Sequence, residues 1–150
     1  MEFIIKRFEE FNLKDFYEII KIREQVFIVE QDCVYQECDG KDENAFHLTC
    51  MEDGKLMAYL RILEKGVSYD EIAIGRVLVK KEYRGRGLGK KLLEKAIEFI
   101  ENELKENEIR ISAQNHLTSF YGSFGFETVS DMYLEDKIPH VEMFYKNSIQ

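Results

Sequence analysis

The chain has 150 residues, 45% of them hydrophobic and 13% aromatic, and this composition predicts a single globular domain spanning 1–150 with its own core. Its 29 acidic and 21 basic residues give a formal net charge of −8, which argues against general nucleic-acid binding because that function needs a basic surface. We expect no membrane span or signal peptide, because the apolar runs are too short, and the odd number of cysteines, 3, favours a reducing, cytoplasmic setting.

The first half of the chain is predicted to contain mostly strands, together with one helix. Residues 2–8 alternate weakly between apolar and polar side chains and are predicted as a strand. Asn12 is a candidate N-cap for an amphipathic helix that runs to about Val26. Residues 46–51 and 55–63 are predicted as the two strands of a hairpin, because the Asp-Gly pair between them is a strong turn signal.

Residues 23–42 change from this helix to an acidic loop that contains two cysteines, Cys33 and Cys38. Structural zinc sites use more closely spaced cysteine pairs and usually four nitrogen or sulfur ligands, so we predict no metal site here. A cysteine such as Cys33 is expected to be a small buried hydrophobe. The loop itself is predicted to be a solvated connection anchored by three apolar residues, Val26, Phe27 and Val29.

A strand, a glycine-rich turn and a helix follow one another in the middle of the chain. Residues 72–80 are mostly apolar, as in a buried strand, and apolar residues recur at helical spacing over 88–105. Between them lies the turn Arg84-Gly85-Arg86-Gly87-Leu88-Gly89. Glycine lets the backbone take positive φ, and the free N–H groups and positive dipole end of the following helix favour an anion.

The charge of this region supports a phosphate-bearing ligand. From Lys80 to Lys91 there are six basic residues and one acidic residue, Glu82, so the local charge is +5. The turn is not a P-loop, because no Gly-Lys-Ser/Thr follows, and its glycine spacing does not match a dinucleotide fingerprint. A solvated, lysine-rich turn is the alternative interpretation.

The last third of the chain predicts strands separated by a short helix. Residues 109–113 are predicted as a strand, and residues 117–124 as a helix that ends at a glycine. Residues 126–130 and 141–145 are predicted as late strands, with Pro139 as a break before the second of them. The order of elements indicates an α/β (mixed α+β) fold with a mixed sheet flanked by helices.

The pattern Arg84-x-x-Gly87-x-Gly89 after a strand resembles the acyl-CoA pyrophosphate loop of the GNAT superfamily of N-acyltransferases. The resemblance implies that backbone amides of the turn bind the pyrophosphate of coenzyme A. It also implies that the Val77 amide faces the thioester carbonyl, a catalytic role, and that Val79 pairs with the pantetheine arm. The cofactor-binding residues implied in this way are Val77, Leu78, Val79, Arg84, Gly85, Arg86, Gly87, Leu88, Gly89, Lys90, Gln114 and Tyr121.

The pattern Phe120-Tyr121-x-x-x-Gly125-Phe126 resembles the second hallmark of the superfamily and implies that Tyr121 is the general acid for the departing thiolate. A phenol has a pKa of about 10, so it is protonated at neutral pH and can donate a proton. Gln114 departs from the family pattern, because many relatives have asparagine there. Without the resemblance, Tyr121 would be predicted as a half-buried aromatic residue.

Further matches, chiefly residues 23–42 and 133–143, resemble the ElaA-like branch of the superfamily, whereas Lys137 departs from the glycine usual in that branch. The resemblance implies a central sheet that is mixed, mostly antiparallel, flanked by helices and splayed at the acyl-CoA site. It implies an N-acetyltransferase without a metal, which moves an acetyl group directly from acetyl-CoA to a primary amine of a small molecule or peptide.

The acceptor site and the general base are predicted as sets of candidates. We expect four residues to line the acceptor pocket: Glu30, Arg76, Glu135 and His140. The candidate bases are His47, His140, Glu30, Glu37 and Glu135. The acidic composition and the acidic loop at 30–43 favour a cationic acceptor such as a polyamine, whereas solvated acidic side chains are the alternative and commoner explanation.

Two other functions stay open. A catalytically inactive acyl-CoA-binding sensor or interaction module would keep the cofactor site without depending on Tyr121. A generic phosphate-ligand protein would bind AMP or ADP without needing the pantetheine arm. Exposed strand edges are also compatible with a homodimer.

Overall fold

The computed structural model describes residues 1–147, and within them one eight-stranded sheet carries helices on both faces. The strands are β1 Glu2–Arg7, β2 Ala45–Glu52, β3 Lys55–Leu63, β4 Ile72–Val79, β5 Glu108–Gln114, β6 Glu127–Thr128, β7 Tyr133–Glu135 and β8 Ile138–Lys146. The helices are α1 Leu13–Glu24, α2 Leu88–Asn102 and α3 Thr118–Gly122.

Helix α1 begins where the sequence predicts. The Asn12 side chain accepts a hydrogen bond of 2.8 Å from the amide three residues later, as an N-cap does. The apolar side of the helix, which includes Ile19 and Ile22, is buried against Tyr59 of β3 and Leu78 of β4. This packing places the C-terminal end of α1 beside the middle of the sheet.

Helix α2 covers the opposite face of the sheet. Its buried residues are Leu88, Leu92, Leu93, Ala96 and Ile100. Burial of each leucine or isoleucine side chain contributes about 1.5–3 kcal/mol, so tertiary packing rather than helix propensity holds α2 in place. The same packing fixes the N-terminus of α2 next to the glycine-rich turn.

All three helices end at positions that differ from the prediction, and α3 covers Thr118–Gly122 rather than 117–124. The first does not stop near Val26, because a π-helical segment, Gln25–Glu30, continues it. Such segments are rare and have no clear sequence pattern, although they are frequent at functional sites. Helix α2 ends at Asn102 rather than at residue 105, and the backbone turns into the left-handed region at Lys105 with φ of 58°.

The sheet opens between β4 and β5. Its strands follow the order β1-β2-β3-β4-β5-β8-β6, with β7 paired to β8, and every pairing is antiparallel except that of β4 with β5. The two parallel strands pair only at Ile72–Ile109 and Ala73–Arg110, whereas each continues to pair with its other neighbour. The predicted mixed, mostly antiparallel and splayed sheet is therefore confirmed.

Strand β4 carries a bulge at the splay. Tyr59 pairs with Leu78 and Arg61 pairs with Gly75, so β4 has one more residue than β3 between these pairs. Within the bulge, Arg76 has a left-handed backbone with φ of 53°. A bulge interrupts the ladder of hydrogen bonds, so main-chain groups at this point are left for another partner.

The C-terminal strands differ from the prediction in three ways. Strand β8 includes Pro139, so the predicted break at that residue is wrong; proline is tolerated there because it lies near the start of the strand. The break is the two-residue turn Asp136-Lys137, in which φ is 50° and 68°. Strand β7 was not predicted because it has only three residues, and β6 is limited to Glu127–Thr128 instead of 126–130.

Candidate active site

A cavity of about 640 Å³ lies where β4 and β5 diverge. Its central walls are Ile74, Gly75, Arg76 and Val77 of β4, Ile111, Ser112 and Gln114 of β5, and Tyr121 of α3. The loop that follows the π-helical segment and the turn between β7 and β8 close its other sides. The volume is within the range of small-molecule sites, about 300–1,000 Å³.

The glycine-rich turn presents backbone amides that no side chain of residues 1–147 caps. Gly85 and Gly87 have positive φ, 82° and 75°, which is the conformation that favours glycine. Helix α2 begins directly after them without a side-chain cap, and its first turn contains no acidic residue. The unpaired N–H groups and the helix dipole therefore make this end of α2 suited to an anion.

The other predicted cofactor-binding residues lie on both sides of this turn. Val77 and Val79 pack against the core that α2 covers, whereas the Leu78 side chain is buried beneath α1 and leaves only its main chain for contacts with a ligand. The Arg84 side chain donates 2.9 Å to the Val79 carbonyl oxygen. Lys90 is exposed in the first turn of α2.

Alanine at Gly87 should reduce the free energy of unfolding of the ligand-free protein by about 1 kcal/mol, because a left-handed backbone costs an L-residue about 1–2 kcal/mol. The added Cβ would meet nothing within 4 Å, so the effect isolates backbone strain. Gly89→Ala is the matched control, because Gly89 is helical and the nearest contact of its added Cβ, at 3.6 Å from Phe120, is ordinary. Urea unfolding measures the free energy of unfolding of both variants. An equal loss of stability in Gly87→Ala and Gly89→Ala would contradict the left-handed backbone assigned to Gly87.

Tyr121 lies in the cavity wall and is 7% exposed. Its ring packs edge-on against Phe120 and Phe126. Its hydroxyl has no hydrogen-bond partner within the part of the chain that the structure describes. Burial raises the pKa of Tyr121 to about 12, so the phenol is protonated at neutral pH and able to donate.

Three arginines meet three carboxylates beside the bulge. The arginines are Arg23, Arg61 and Arg76, and the carboxylates are Glu37, Asp39 and Asp42. Arg23 is fully buried and donates at 2.8 Å to both Glu37 and Asp42. Arg61 donates at 2.7 Å to Asp39 and at 3.0 Å to Asp42. We call these six residues the arginine–carboxylate network.

The arginine–carboxylate network overturns the prediction of a solvated loop at 23–42. Glu37 and Asp42 are buried, whereas Val29, one of the expected anchors, is 58% exposed. Arg76 reaches the loop from the bulge, where it pairs with Glu37 and donates 3.2 Å to Asp39. The loop is therefore tied to α1, β3 and β4, and it forms a fixed wall of the cavity.

The network keeps Asp39 and Asp42 ionised. Burial acts to raise the pKa of Asp42, but hydrogen bonds and charge from Arg23 and Arg61 outweigh it and lower this pKa below its ordinary value. The pKa of Asp39 is lowered in the same way, with burial opposed mainly by Arg61. Each charge in the network thus has an opposite charge within hydrogen-bond distance.

Three of the four predicted acceptor residues lie at this cavity: Arg76, Glu135 and His140. The structure does not bring Glu30 to them. The Glu30 carboxylate accepts a hydrogen bond of 2.8 Å from Arg84 beside the glycine-rich turn, and it lines a separate groove under α1. The unpredicted π-helical segment accounts for this position, because Glu30 is its last residue.

Contacts separate the five candidate bases. His47 is fully buried, its pKa is lowered by burial, and its ring nitrogens lie 2.5 Å from a tyrosine hydroxyl and 3.0 Å from a backbone carbonyl oxygen. Glu37 is held between two arginines of the network, and Glu30 is at the glycine-rich turn. Glu135 and His140 are the two candidates that line the cavity.

Several cavity residues were missed by sequence reasoning. Ser112 lies on the same side of β5 as Gln114, and its Oγ is 2.5 Å from the Tyr133 hydroxyl. The alternation of polar and apolar residues along β5, which places Ser112 on the same face as Gln114, is a sequence signal that could have identified Ser112. Cys33 was expected to be buried, but it is partly exposed and its thiol donates 3.2 Å to the Asp136 carbonyl oxygen, which links the loop to the β7–β8 turn.

Two further findings concern residues 1–147 as a whole. Among them, no group of three or more histidine, cysteine or acidic side chains is placed to hold a metal ion. No helix in the same range has the length and apolar character needed to cross a membrane.

Residues 12–146 match a family model described as an acetyltransferase (GNAT) domain. The crystal structure of an acyl-CoA N-acyltransferase from Pseudomonas aeruginosa is 39% identical, with 97% of this chain and 99% of that chain covered and a TM-score of 0.90. The crystal structure of Escherichia coli ElaA is 34% identical, with 97% of this chain and 100% of that chain covered and a TM-score of 0.89. The PaiA N-acetyltransferase from Thermoplasma acidophilum in complex with coenzyme A shares the fold at 17% identity, with 98% and 100% covered and a TM-score of 0.70.

Proposed function

This chain belongs to the GNAT acetyltransferases, in their ElaA-like branch, and on that premise we propose that it transfers an acetyl group directly from acetyl-CoA to a primary amine. The observation that carries the proposal is a single cavity that joins the β4 bulge, the splay between β4 and β5 and the unpartnered phenol of Tyr121. The acceptor is proposed to be a small molecule or a peptide that enters beside the β7–β8 turn.

The glycine-rich turn fits the pyrophosphate of coenzyme A. Backbone amides from Gly85 to Lys90 are proposed to hold the two phosphates, because the start of α2 has neither a side-chain cap nor an acidic residue, whereas the Arg84 amide donates to the Lys81 carbonyl oxygen. The main chain of Val79 is proposed to pair with the pantetheine arm in the gap that β5 leaves. Gln114, at the far end of β5, lines the cavity and is proposed to contact the same arm. Acetyl-CoA, when bound, supplies the acyl group as a reactive thioester.

Two groups of the protein are proposed to act on the reacting thioester. The Val77 amide, at the bulge, donates to the carbonyl oxygen where negative charge develops during attack. The Tyr121 hydroxyl gives its proton to the departing sulfur, which its raised pKa and its lack of another partner allow. The amine attacks the carbonyl directly, so no acylated residue forms.

An inactive acyl-CoA-binding sensor is the alternative, and Tyr121 favours the enzyme because its phenol lines the cavity and has no hydrogen-bond partner within residues 1–147, so it is available to donate a proton. We also propose a cytoplasmic location, because all three cysteines are free thiols. A homodimer, and the absence of nucleic-acid and membrane partners, remain proposals on the grounds of composition and exposed strand edges.

The proposal predicts that acetyl-CoA raises the melting temperature and that AMP does not. A ligand at about 100 times its Kd adds about 2.7 kcal/mol of stability, which corresponds to about 5–10 °C for a domain of this size. Differential scanning fluorimetry with acetyl-CoA, coenzyme A and AMP measures the shifts. No shift with acetyl-CoA would contradict the cofactor site, and an equal shift with AMP would indicate a generic phosphate site.

A further inference from the structure

Glu135 and His140 face each other at the cavity wall, where β7 pairs with β8. The His140 Nδ1 atom lies 2.7 Å from the Ile138 carbonyl oxygen, which can only accept, so Nδ1 carries a hydrogen. In the neutral ring, Nε2 then carries a lone pair. This atom lies 3.4 Å from the Glu135 Oε2 atom, a separation longer than an ordinary N–H···O hydrogen bond.

The second oxygen of Glu135 is held by a chain of hydroxyl groups. The Ser112 Oγ atom donates 3.1 Å to Oε1 of Glu135 and lies 2.5 Å from the Tyr133 hydroxyl. The Tyr133 ring stacks on the His140 imidazole with 6.2 Å between ring centroids. The positions of both the carboxylate and the imidazole are therefore fixed by β5, β7 and β8.

Within residues 1–147, the Glu135 carboxylate has no ion-pair partner other than His140. The other charged and titratable groups on the elements around the pair are Cys33, Tyr35, Asp39, Lys41, Arg61, Tyr69, Arg76, Arg110, Tyr133, Asp136, Lys137 and Glu142. Arg110 is matched by Glu142 at 3.1 Å and by Glu71 at 3.1 Å. Within residues 1–147, no arginine or lysine forms an ion pair with Glu135 or Asp136, and the arginine–carboxylate network is balanced by itself.

On its cavity side, the 3.4 Å gap between Oε2 and Nε2 can be bridged by one group that carries N–H donors and a positive charge and contacts both atoms from outside. Glu135 is 48% exposed at its side chain, so the gap is open to the cavity, whereas His140 is 8% exposed and is held from behind. An alkylammonium ion can donate to Glu135 Oε2 and His140 Nε2 at once, and its positive charge complements the negative charge of the Glu135 carboxylate. A neutral alcohol offers only one donor and no charge.

We propose that Glu135 binds the ammonium group of the acceptor and that His140 Nε2 is the general base that removes its proton. This assignment rests on the proposed function. One N–H bond of the ammonium breaks and its proton moves to Nε2, giving an imidazolium that Glu135 stabilises. The neutral amine then forms the C–N bond as the C–S bond breaks. Its second proton passes to the departing sulfur through the Tyr121 hydroxyl, so atoms and charges balance.

His140→Gln is expected to lower kcat/KM for a primary amine about 100-fold at neutral pH and to remove the rising limb of the pH profile, because general base catalysis contributes about 10²–10⁴-fold. Glu135→Gln is expected to raise KM for the amine about tenfold or more while KM for acetyl-CoA is unchanged. Glu135→Asp should restore part of the loss. His116→Gln and Glu127→Gln, both at exposed positions, are the matched controls.

Rates of His140→Gln within twofold of the unchanged protein, or a pH profile that keeps its rising limb, would overturn the assignment. Each variant is first tested for stabilisation by coenzyme A, which separates loss of the base from loss of the fold. A drop of the same size in the two control variants would also overturn it.

A binding measurement tests the site even if no turnover is found. In NMR spectra of protein labelled with ¹³C-histidine, n-pentylamine should shift the His140 ring signals and 1-pentanol should not, and Glu135→Gln should remove the shift. If acetyl-CoA binds but no amine is acetylated, the proposed function fails while this result still decides the ammonium site. A response to pentanol as large as that to pentylamine would refute the site.

Discussion

Asp42→Asn is expected to lower the free energy of unfolding at neutral pH by about 3–5 kcal/mol, because it removes one partner of a buried ion-pair network. Asp42 pairs with Arg23 at 2.8 Å and with Arg61 at 3.0 Å, and both arginines are buried. The substitution keeps the shape of the side chain. Stability is therefore lost because the buried cations of Arg23 and Arg61 no longer have the negative charge of Asp42 beside them. Urea unfolding at neutral pH measures it.

An exposed ion pair provides the control for this prediction. Glu108 lies 3.8 Å from Lys146 with both side chains largely exposed, so Glu108→Gln should change stability by less than about 0.5 kcal/mol. If Asp42→Asn costs no more than Glu108→Gln, the network does not hold the loop in the way that we describe.

Acid pH should reduce the difference in free energy of unfolding between the unchanged protein and the Asp42→Asn variant. The pKa of Asp42 is lowered in the folded state, so its stabilising contribution is present above the unfolded value of about 3.9 and is lost as pH falls through the lower folded value. Asp39, whose pKa is lowered as well, loses its contribution in the same acidic range. Unfolding measured from pH 7 downward should show the two curves converging below about pH 4.

Tyr121→Phe is expected to reduce kcat by about 100-fold or more while the Kd for acetyl-CoA changes by less than about twofold. The phenol has no hydrogen-bond partner among residues 1–147, so its removal should not disturb the wall of the cavity, and phenylalanine keeps the ring contacts. A group that acts only on the departing thiolate stabilises the transition state and not the bound ground state.

Tyr17→Phe is the matched control for this substitution, because Tyr17 is 69% exposed on α1. Steady-state rates and isothermal titration of acetyl-CoA give the two quantities. Unchanged rates in Tyr121→Phe would contradict the general-acid role, and a large loss of acetyl-CoA affinity would indicate a role in binding.

Local sequence signals predicted the elements that carry the cofactor end of the site. The N-cap at Asn12, the hairpin between β2 and β3 and the apolar side of α2 each depend on neighbouring residues, and each is present in the structure. The glycine-rich turn is of the same kind, because glycine permits the positive φ found at Gly85 and Gly87.

The acceptor end depends on pairs of residues that are distant in the chain, and a single sequence does not show them. Arg61 meets Asp39 and Asp42 across 22 and 19 positions, and Arg76 meets Glu37 across 39. Because of these pairs, the loop within residues 23–42, which was predicted to be solvated, forms a wall of the cavity with buried carboxylates. The π-helical segment that moves Glu30 away from the cavity has no local signature at all.

The most direct test of the account is an assay of acetyl-CoA with a panel of primary amines, in which free thiol and product mass are followed together. We expect thiol release only when an amine is present, with one acetylated amine formed for each coenzyme A released. Tight binding of acetyl-CoA with no acetylated product from any amine in the panel would contradict an acetyltransferase and favour a sensor.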